Sequence, residues 1–351
     1  MNQAAASPRV LFRIDAGPCV GLGHLQRSLS LAGALRRRQI DSVFLVPALP
    51  AVREWVAATG CDVETAARAP ANAVEDLEQV NAACRARDCH MVVVDSYHTD
   101  AAYLEQLGRR GLVVAMIDDH AAHPMPCRMV INAGAHAEQL RYEVPWPQTT
   151  LLLGPRYALL RQEFDGCAPR RPSPEVREVL VMAGGGDAGA LLARLLETVD
   201  TVNGSFEVKA VVGPFVEVEG TLEALAARCR RRVQLVRQPR EVRALMCQAD
   251  AAVSAAGQTL YELACAGCPT VAIEMADNQR PQLRALAARG CVVDAGRAES
   301  PATQEAVRLA LQRLVDDAAL RMRIAHAQQQ CVDGRGAQRV ADALEALARR
   351  N

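Results

Sequence analysis

The chain contains 351 residues, more than one ordinary hydrophobic core accommodates, and this length predicts two domains of about 150 residues each. Half of the residues are hydrophobic and 23% are charged, a balance typical of compact globular proteins. Acidic and basic residues number 40 each, which argues against a nucleic-acid partner or general attraction to an anionic membrane.

The beginning of the sequence lacks a basic and apolar secretory pattern. No apolar run reaches the roughly 18 residues that a membrane helix needs. We therefore expect a cytoplasmic protein without stable membrane insertion.

Short apolar runs alternate with longer segments rich in Ala, Leu and Arg through the first half of the chain. These runs predict strands at residues 10–15, 42–46, 91–95, 112–118, 129–133 and 150–154. Continuous apolar runs are typical of strands buried on both faces, and alternation with helices indicates a parallel sheet. We predict an α/β N-terminal domain over residues 1–160.

Residues 161–174 contain three prolines and no periodic pattern, and they predict an interdomain linker. The alternation then resumes, with strands predicted at 179–183, 207–212, 233–236, 251–254, 270–274 and 292–294. Residues 301–351 are helical by composition, and one of their helices is a candidate to pack on the first domain. We predict a second α/β domain over residues 175–351 that includes this helical tail.

The turn between the first strand and the first helix is the best candidate for a catalytic site. Arg13 and Asp15 end the strand, and Gly21 and Gly23 precede His24 at the start of the helix. Glycines let a ligand approach the backbone, and a helix N-terminus offers free N–H groups. Imidazole accepts protons near neutral pH, which makes His24 a candidate general base. The alternative is a purely structural turn in which His24 caps the helix.

Turns in the second half suit a nucleotide diphosphate, because glycines and helix N-termini present backbone N–H groups. A carboxylate one turn inside the helix could accept hydrogen bonds from ribose hydroxyls. The alternative is an ordinary capped helix with a solvated Glu. The predicted nucleotide-binding residues are Gly184, Gly185, Gly186, Ala256, Gly257, Gln258, Thr259 and Glu262.

Six sequence blocks in one order carry a family resemblance. They are residues 13–15 with 21–27, then 94–97, 117–119, 153–161, 256–262 and 277–279. Together they resemble the UDP-sugar hydrolases of the pseudaminic acid pathway and their spore-coat-polysaccharide relatives. The resemblance implies a GT-B fold, in which two Rossmann-like domains face each other across a cleft and the C-terminal domain holds most of the nucleotide.

The same resemblance implies that water removes UDP from a 2,4-diacetamido-2,4,6-trideoxy sugar, with cleavage at the anomeric carbon and inversion. It implies no metal and no cofactor, and it places His24 as the base that activates water. The residues implied to contact the substrate are Arg13, Asp15, Gly21, Gly23, Asp95, Tyr97, Asp118, Tyr157, Asn278 and Gln279. Residues 131–136 and 184–189 depart from the family's pattern, as does Gln258, and this leaves the sugar and the nucleotide contacts open.

Two other functions remain possible for such a chain. One is a GT-B glycosyltransferase, in which a sugar hydroxyl takes the place of water. The other is a non-catalytic protein that binds a UDP-sugar without turnover. The oligomeric state is open, with a monomer favoured.

Two further patterns invite competing interpretations. Asp118, Asp119 and His120, with His123 and Cys127, contain metal-ligand side chains but match no standard metal spacing, so a substrate-contacting or structural role of Asp118 is preferred. Cys265-x-x-Cys268 ends a predicted helix, where a thiolate gains no stabilisation, so we interpret these residues as buried structural thiols rather than a redox pair.

Overall fold

A computed structural model describes residues 8–16, 23–66, 72–168, 170–184, 189–213, 216, 220–239 and 241–349. The chain divides into two compact units. Unit 1 comprises Met1–Gln162 with Arg335–Asn351, and unit 2 comprises Glu163–Gly334. These bounds differ from the predicted domains in the segment 161–174 and in the C-terminal tail.

Unit 1 is built on a seven-stranded parallel sheet. Its strands are β1 (Arg9–Ile14), β2 (Asp41–Val46), β3 (Asp62–Thr65), β4 (Met91–Asp95), β5 (Val113–Ile117), β6 (Met129–Asn132) and β7 (Thr150–Leu153), in the spatial order β3-β2-β1-β4-β5-β6-β7. Its first four helices are α1 (Gly23–Arg36), α2 (Pro50–Ala58), α3 (Ala73–Arg87) and α4 (Ala101–Arg109). The central strands are apolar and buried, and Phe12 stacks on Phe44 with ring centroids 4.7 Å apart.

Unit 2 repeats this plan with a six-stranded parallel sheet. Its strands are β8 (Glu178–Met182), β9 (Glu207–Val212), β10 (Val233–Arg237), β11 (Ala251–Ala255), β12 (Thr270–Glu274) and β13 (Val293–Arg297), in the spatial order β10-β9-β8-β11-β12-β13. Its helices are α5 (Gly189–Asp200), α6 (Thr221–Arg228), α7 (Val242–Gln248), α8 (Thr259–Ala266), α9 (Arg280–Ala288), α10 (Thr303–Asp316) and α11 (Ala318–Cys331). The predicted class of two Rossmann-like parallel-sheet domains is confirmed.

The strand orders determine where each unit can bind a ligand. In unit 1 the order reverses between β1 and β4, and in unit 2 it reverses between β8 and β11. Open parallel sheets bind ligands outside the carboxyl ends of the strands at such a reversal. The turns that follow these four strands are therefore the positions to inspect.

The predicted linker is packed into unit 2. The Glu163 carboxylate accepts hydrogen bonds from the first two backbone N–H groups of α7, both at 3.2 Å. The Arg321 guanidinium is fully buried and donates to the carbonyl oxygens of Ser173 and Pro174 at 2.9 and 2.6 Å. These contacts fix the segment, and they explain why it belongs to unit 2.

The C-terminal tail is divided between the units. Helix α12 (Gly336–Ala348) packs on α1, and Arg38 donates to the carboxylate of Asp342 at 2.5 and 2.9 Å. Gly336 lies so close to Ala158 that a Cβ atom there would stand 2.2 Å from the Ala158 carbonyl oxygen. The predicted second domain of 175–351 therefore includes one helix that the structure assigns to unit 1.

Candidate functional site

His24 and Asp95 form a buried pair at the strand reversal of unit 1. Asp95 is the last residue of β4 and lies beside Ile14 at the end of β1, while His24 is in the first turn of α1. The Nδ1 atom of His24 is 2.5 Å from Oδ1 of Asp95. A carboxylate only accepts hydrogen bonds, so Nδ1 carries the proton and Nε2 is left with a lone pair. In this tautomer Nε2 is able to accept a proton from a nucleophile.

Arg27 holds the Asp95 carboxylate in its charged form. Its Nε and Nη2 atoms donate to the two oxygens of Asp95 at 2.8 and 2.6 Å, and the Ser28 hydroxyl adds a third contact at 3.3 Å. Burial acts to raise the pKa of Asp95, but the positive charge of Arg27 and the hydrogen bonds from Arg27 and His24 outweigh it and hold that pKa well below its usual range. Asp95 is therefore ionised at neutral pH.

The charged network continues from Arg27 to Asp119, and from Asp119 to the partly exposed side chain of Tyr97. The Arg27 Nη1 atom is 3.0 Å from both carboxylate oxygens of Asp119, and the Tyr97 hydroxyl donates to Asp119 at 2.7 Å. Burial acts to raise the pKa of Asp119, yet Arg27 and the Tyr97 hydrogen bond hold it below its usual range. The Tyr97 ring meets the His24 ring edge to face at 4.7 Å and is 45% exposed. Tyr97 thus places a partly exposed ring against His24, which is itself buried.

Arg27 and Asp119 belong to the network although neither is among the residues predicted to act there. Arg27 is three residues after His24, and residues three apart share one face of a helix. The spacing of three residues between His24 and Arg27 was the signal that could have identified Arg27. Asp119 follows β5, the neighbour of β4, so its proximity depends on the sheet order.

Arg13 and Asp15 form a separate buried network. Arg13 donates to Asp76 at 2.9 Å and to Asp15 at 2.5 Å, and the Ser96 hydroxyl donates to the other Asp15 oxygen at 2.6 Å. These side chains tie the ends of β1 and β4 to α3. The carboxylate that is hydrogen-bonded to Nδ1 of His24 is therefore that of Asp95 and not that of Asp15.

Asp118 is engaged by groups of its own unit. One of its oxygens accepts hydrogen bonds from the Tyr142 hydroxyl at 2.6 Å and from the backbone N–H groups of His120 and Ala121 at 3.0 and 2.7 Å. The two His123 ring nitrogens lie within 3.0 Å of backbone carbonyl oxygens. These contacts support a structural role for Asp118. Within the described ranges, no group of three or more His, Cys, Asp or Glu side chains is arranged to hold a metal ion.

The structure places two further predicted substrate contacts, Tyr157 and Gly23, in unit 1. Tyr157 lies in the short 3-10 turn Pro155–Tyr157, with its ring 5.3 Å from the Arg156 guanidinium. Gly23 begins α1 next to His24, and a Cβ atom there would meet no atom within 4 Å. Gly21, Gly185 and Gly186 lie outside the described residues.

The turn after β11 uses part of its backbone within the fold. The Ala256 N–H donates to the Ile273 carbonyl at 2.8 Å, and the Gly257 N–H donates to the Ala255 carbonyl at 2.9 Å. The backbone N–H groups of Ala256 and Gly257 are therefore used within the fold, and α8 begins two residues after Gly257, at Thr259.

Other predicted residues of unit 2 surround this turn. Gly184 follows β8 with a positive φ of 97°, and its Cβ position would lie 3.9 Å from the Ala255 Cβ. Gln279 has its Nε2 atom 4.0 Å from the Cβ position of Gly257, while Asn278 is exposed. Glu262 is buried one turn inside α8. The structure thus gathers Gly184, the α8 turn and Gln279 at the strand reversal of unit 2.

No known protein-family model matches the chain. Among curated proteins, the chain is 27% identical over 202 residues to the spore coat polysaccharide biosynthesis protein SpsG of Bacillus subtilis, an alignment that covers 57% of this chain and 59% of that protein. It is 23% identical over 291 residues to the uncharacterized protein MJ1062 of Methanocaldococcus jannaschii, covering 78% of this chain and 57% of that protein. The chain therefore spans less than two thirds of the length of either relative.

Solved structures share the fold over nearly the whole chain. Acinetobacter baumannii MurG superposes with a TM-score of 0.70 at 15% identity and covers 97% of this chain and 99% of its own. A UDP complex of Staphylococcus aureus MnaA gives a TM-score of 0.64 at 12% identity and covers 96% of each chain. No helix in the described ranges is long and apolar enough to cross a membrane. The two Rossmann-like sheets thus have the GT-B architecture that MurG represents.

Proposed function

We propose that this protein is a GT-B enzyme that transfers a glycosyl group from a UDP-linked sugar to an acceptor hydroxyl, with His24 as the general base. The observation that carries the proposal is the buried His24–Asp95 pair backed by Arg27. The similarity of fold to MurG and to glycosyltransferases of natural-product pathways supports the reaction class.

In the proposed step, the acceptor oxygen attacks the anomeric carbon as the bond from that carbon to the diphosphate breaks. The acceptor proton passes to Nε2 of His24, which becomes an imidazolium. Asp95 stabilises this cation and fixes the ring orientation, and it keeps its own charge because Arg27 disfavours its protonation. The product then leaves, and the imidazolium returns its proton to solvent.

We assign the nucleotide to unit 2. The helix N-terminus at Gln258 and Thr259 presents backbone N–H groups that suit the negative charge growing on the leaving diphosphate. Gly184 leaves open space beside this turn, and Glu262 remains the proposed ribose contact. The UDP complex of MnaA and the thymidine diphosphate complex of the rhamnosyltransferase SpnG support a nucleoside diphosphate as the bound group.

Hydrolysis of the UDP-sugar is the second candidate, favoured by the six sequence blocks shared with UDP-sugar hydrolases. In that reaction water replaces the acceptor hydroxyl, and His24 acts in the same way. The name of the SpsG relative supports a role in making a surface polysaccharide under either reaction.

The test is to incubate the protein with UDP-2,4-diacetamido sugars and UDP-N-acetylglucosamine and to follow UDP release by NMR, with and without candidate sugar acceptors. Release that requires an acceptor supports the transferase, and release that yields free sugar in water supports the hydrolase. His24→Asn serves as the inactive control. Tight UDP binding without release from any donor would contradict both reactions and support a binding protein.

A further inference from the structure

Three cysteine thiols meet in unit 2, where the segment that follows residue 162 reaches α7 and α8. Cys167 lies on this segment, Cys247 on α7 and Cys265 on α8. The Cys167 thiol lies within interaction range of both other thiols and of the Arg243 guanidinium. The proposed sugar chemistry uses none of these groups.

Backbone contacts bring these thiols together. The Phe164 carbonyl oxygen accepts a hydrogen bond from the Cys167 N–H at 3.1 Å and from the Cys265 thiol at 3.9 Å. Arg243, one helical turn before Cys247, donates to the Glu163 carbonyl at 3.0 Å. The fold therefore places a half-buried sulfur, that of Cys167, against two possible partners and a cation.

The sequence spacing points to a different pair. Cys265-x-x-Cys268 suggests that these two residues belong together, but the Cys268 thiol is fully buried and donates to the Ala249 carbonyl at 3.7 Å. The Cys265 thiol instead lies beside Cys167, a residue far away in the sequence, since both contact the Phe164 carbonyl oxygen.

The surroundings of Cys167 favour its thiolate. Hydrogen bonds from Cys247 and Cys265, together with the positive charge of Arg243, lower the pKa of the Cys167 thiol although partial burial opposes them. The thiolate is the nucleophilic form of cysteine, and oxidation selects accessible thiolates with another thiol nearby.

We propose that Cys167 is a peroxide-reactive thiol that closes a disulfide with one of its two neighbours, Cys247 or Cys265. In the first step the Cys167 sulfur attacks one oxygen of hydrogen peroxide. The S–O bond forms, the O–O bond breaks, and the departing hydroxide takes up a proton to become water.

In the second step a neighbouring thiol loses its proton and attacks the sulfenic sulfur of Cys167. The S–S bond forms and the S–O bond breaks, which releases a second water molecule. Two thiols are thereby oxidised by two electrons, and one peroxide is reduced to two waters. The disulfide ties the segment around Cys167 to α7 or to α8.

The experiment exposes the reduced full-length protein to hydrogen peroxide, blocks the remaining thiols by alkylation and maps disulfides by peptide mass spectrometry. Trypsin leaves all three downstream cysteines of this region on one peptide, 244–284, because Arg280 precedes a proline. A second cleavage after Glu262 separates Cys247 from Cys265 and Cys268. Cys229 is the internal control, since it is also half-buried but the pKa of its thiol is raised by burial. Its state is read from peptide 224–241 of a separate Glu-specific digest, because trypsin would leave it on the dipeptide 229–230.

We expect disulfides from Cys167 to Cys247 or Cys265 to form while Cys229 stays reduced. Cys167→Ser should slow oxidation of the cluster about tenfold or more, whereas Cys229→Ser should leave it unchanged. Cys167→Ala, checked for folding by circular dichroism, repeats the test should the serine variant misfold. The proposal fails if Cys229 reacts as fast as Cys167, or if Cys247 and Cys265 join each other equally fast without Cys167.

Discussion

Replacing Asp95 by Asn tests whether this carboxylate orients and stabilises the catalytic imidazole. The substitution keeps the size of the side chain but removes its negative charge next to Nδ1 of His24, 2.5 Å away. With the two charge centres about 4 Å apart and an effective dielectric constant of about 20, the lost attraction to the imidazolium is about 4 kcal/mol. Such a loss corresponds to a fall of about 10³ in turnover.

The assay measures kcat for UDP release together with the dissociation constant of UDP. We expect kcat to fall and UDP affinity to stay nearly unchanged, because the charge acts mainly in the transition state. Asp119→Asn is the matched control, because it also removes a carboxylate from Arg27. Within the described residues Asp119 makes no hydrogen bond to His24, so the effect of this substitution on kcat should be much smaller. Equal losses in the two variants, or near-native turnover in Asp95→Asn, would refute the reasoning.

Four other expectations can be measured directly. His24→Asn should lower turnover by about 10² to 10⁴ with little change in UDP binding, and calorimetry with UDP checks the latter. Turnover should persist in a strong chelator, and loss that a divalent ion restores would contradict this. The free energy of unfolding should fall as the pH drops below about 4, because Asp95 has a lowered pKa in the folded state; Asp95→Asn should weaken that dependence in acid denaturation. Gly336→Ala should destabilise the protein by about 2 kcal/mol through its clash with Ala158, whereas Gly108→Ala should change the melting temperature little.

The strands of both units could be predicted because most are continuous apolar runs buried on both faces. Strand β3 was missed, since three of the four residues of Asp62–Thr65 are polar and the strand lies at the edge of the sheet. The helical composition of residues 301–351 predicts that one tail helix packs on the first domain, and α12 does so on α1, but the composition does not identify which helix it is. The sequence of an amphipathic helix indicates that one of its faces is buried, but it does not indicate which unit that face packs against.

The candidate site, like the fold, could be predicted only in part. His24 was predictable from the glycine-rich turn after a strand, whereas its bond to Asp95 depends on β4 lying beside β1. The role of Ala256 and Gly257 was harder to predict, because their backbone N–H groups donate hydrogen bonds to carbonyl oxygens within the fold. Cys265 and Cys268 are buried as predicted, but the neighbour of Cys265 could not be predicted from the spacing, since Cys167 comes from a distant segment.

The return of α12 to unit 1 affects the order in which the chain can fold during synthesis. The ribosome delivers residues 163–334 as one uninterrupted stretch, so unit 2 has all of its parts while the helix that covers α1 is still untranslated. Unit 1 emerges earlier but is completed later, and in the meantime the apolar surface of α1 stays without its cover. N-terminal domains usually fold first as a chain is made. Here the N-terminal unit is completed by a helix made after unit 2. The surface of α1 that this helix covers is therefore exposed to incorrect contacts for longer in the growing chain.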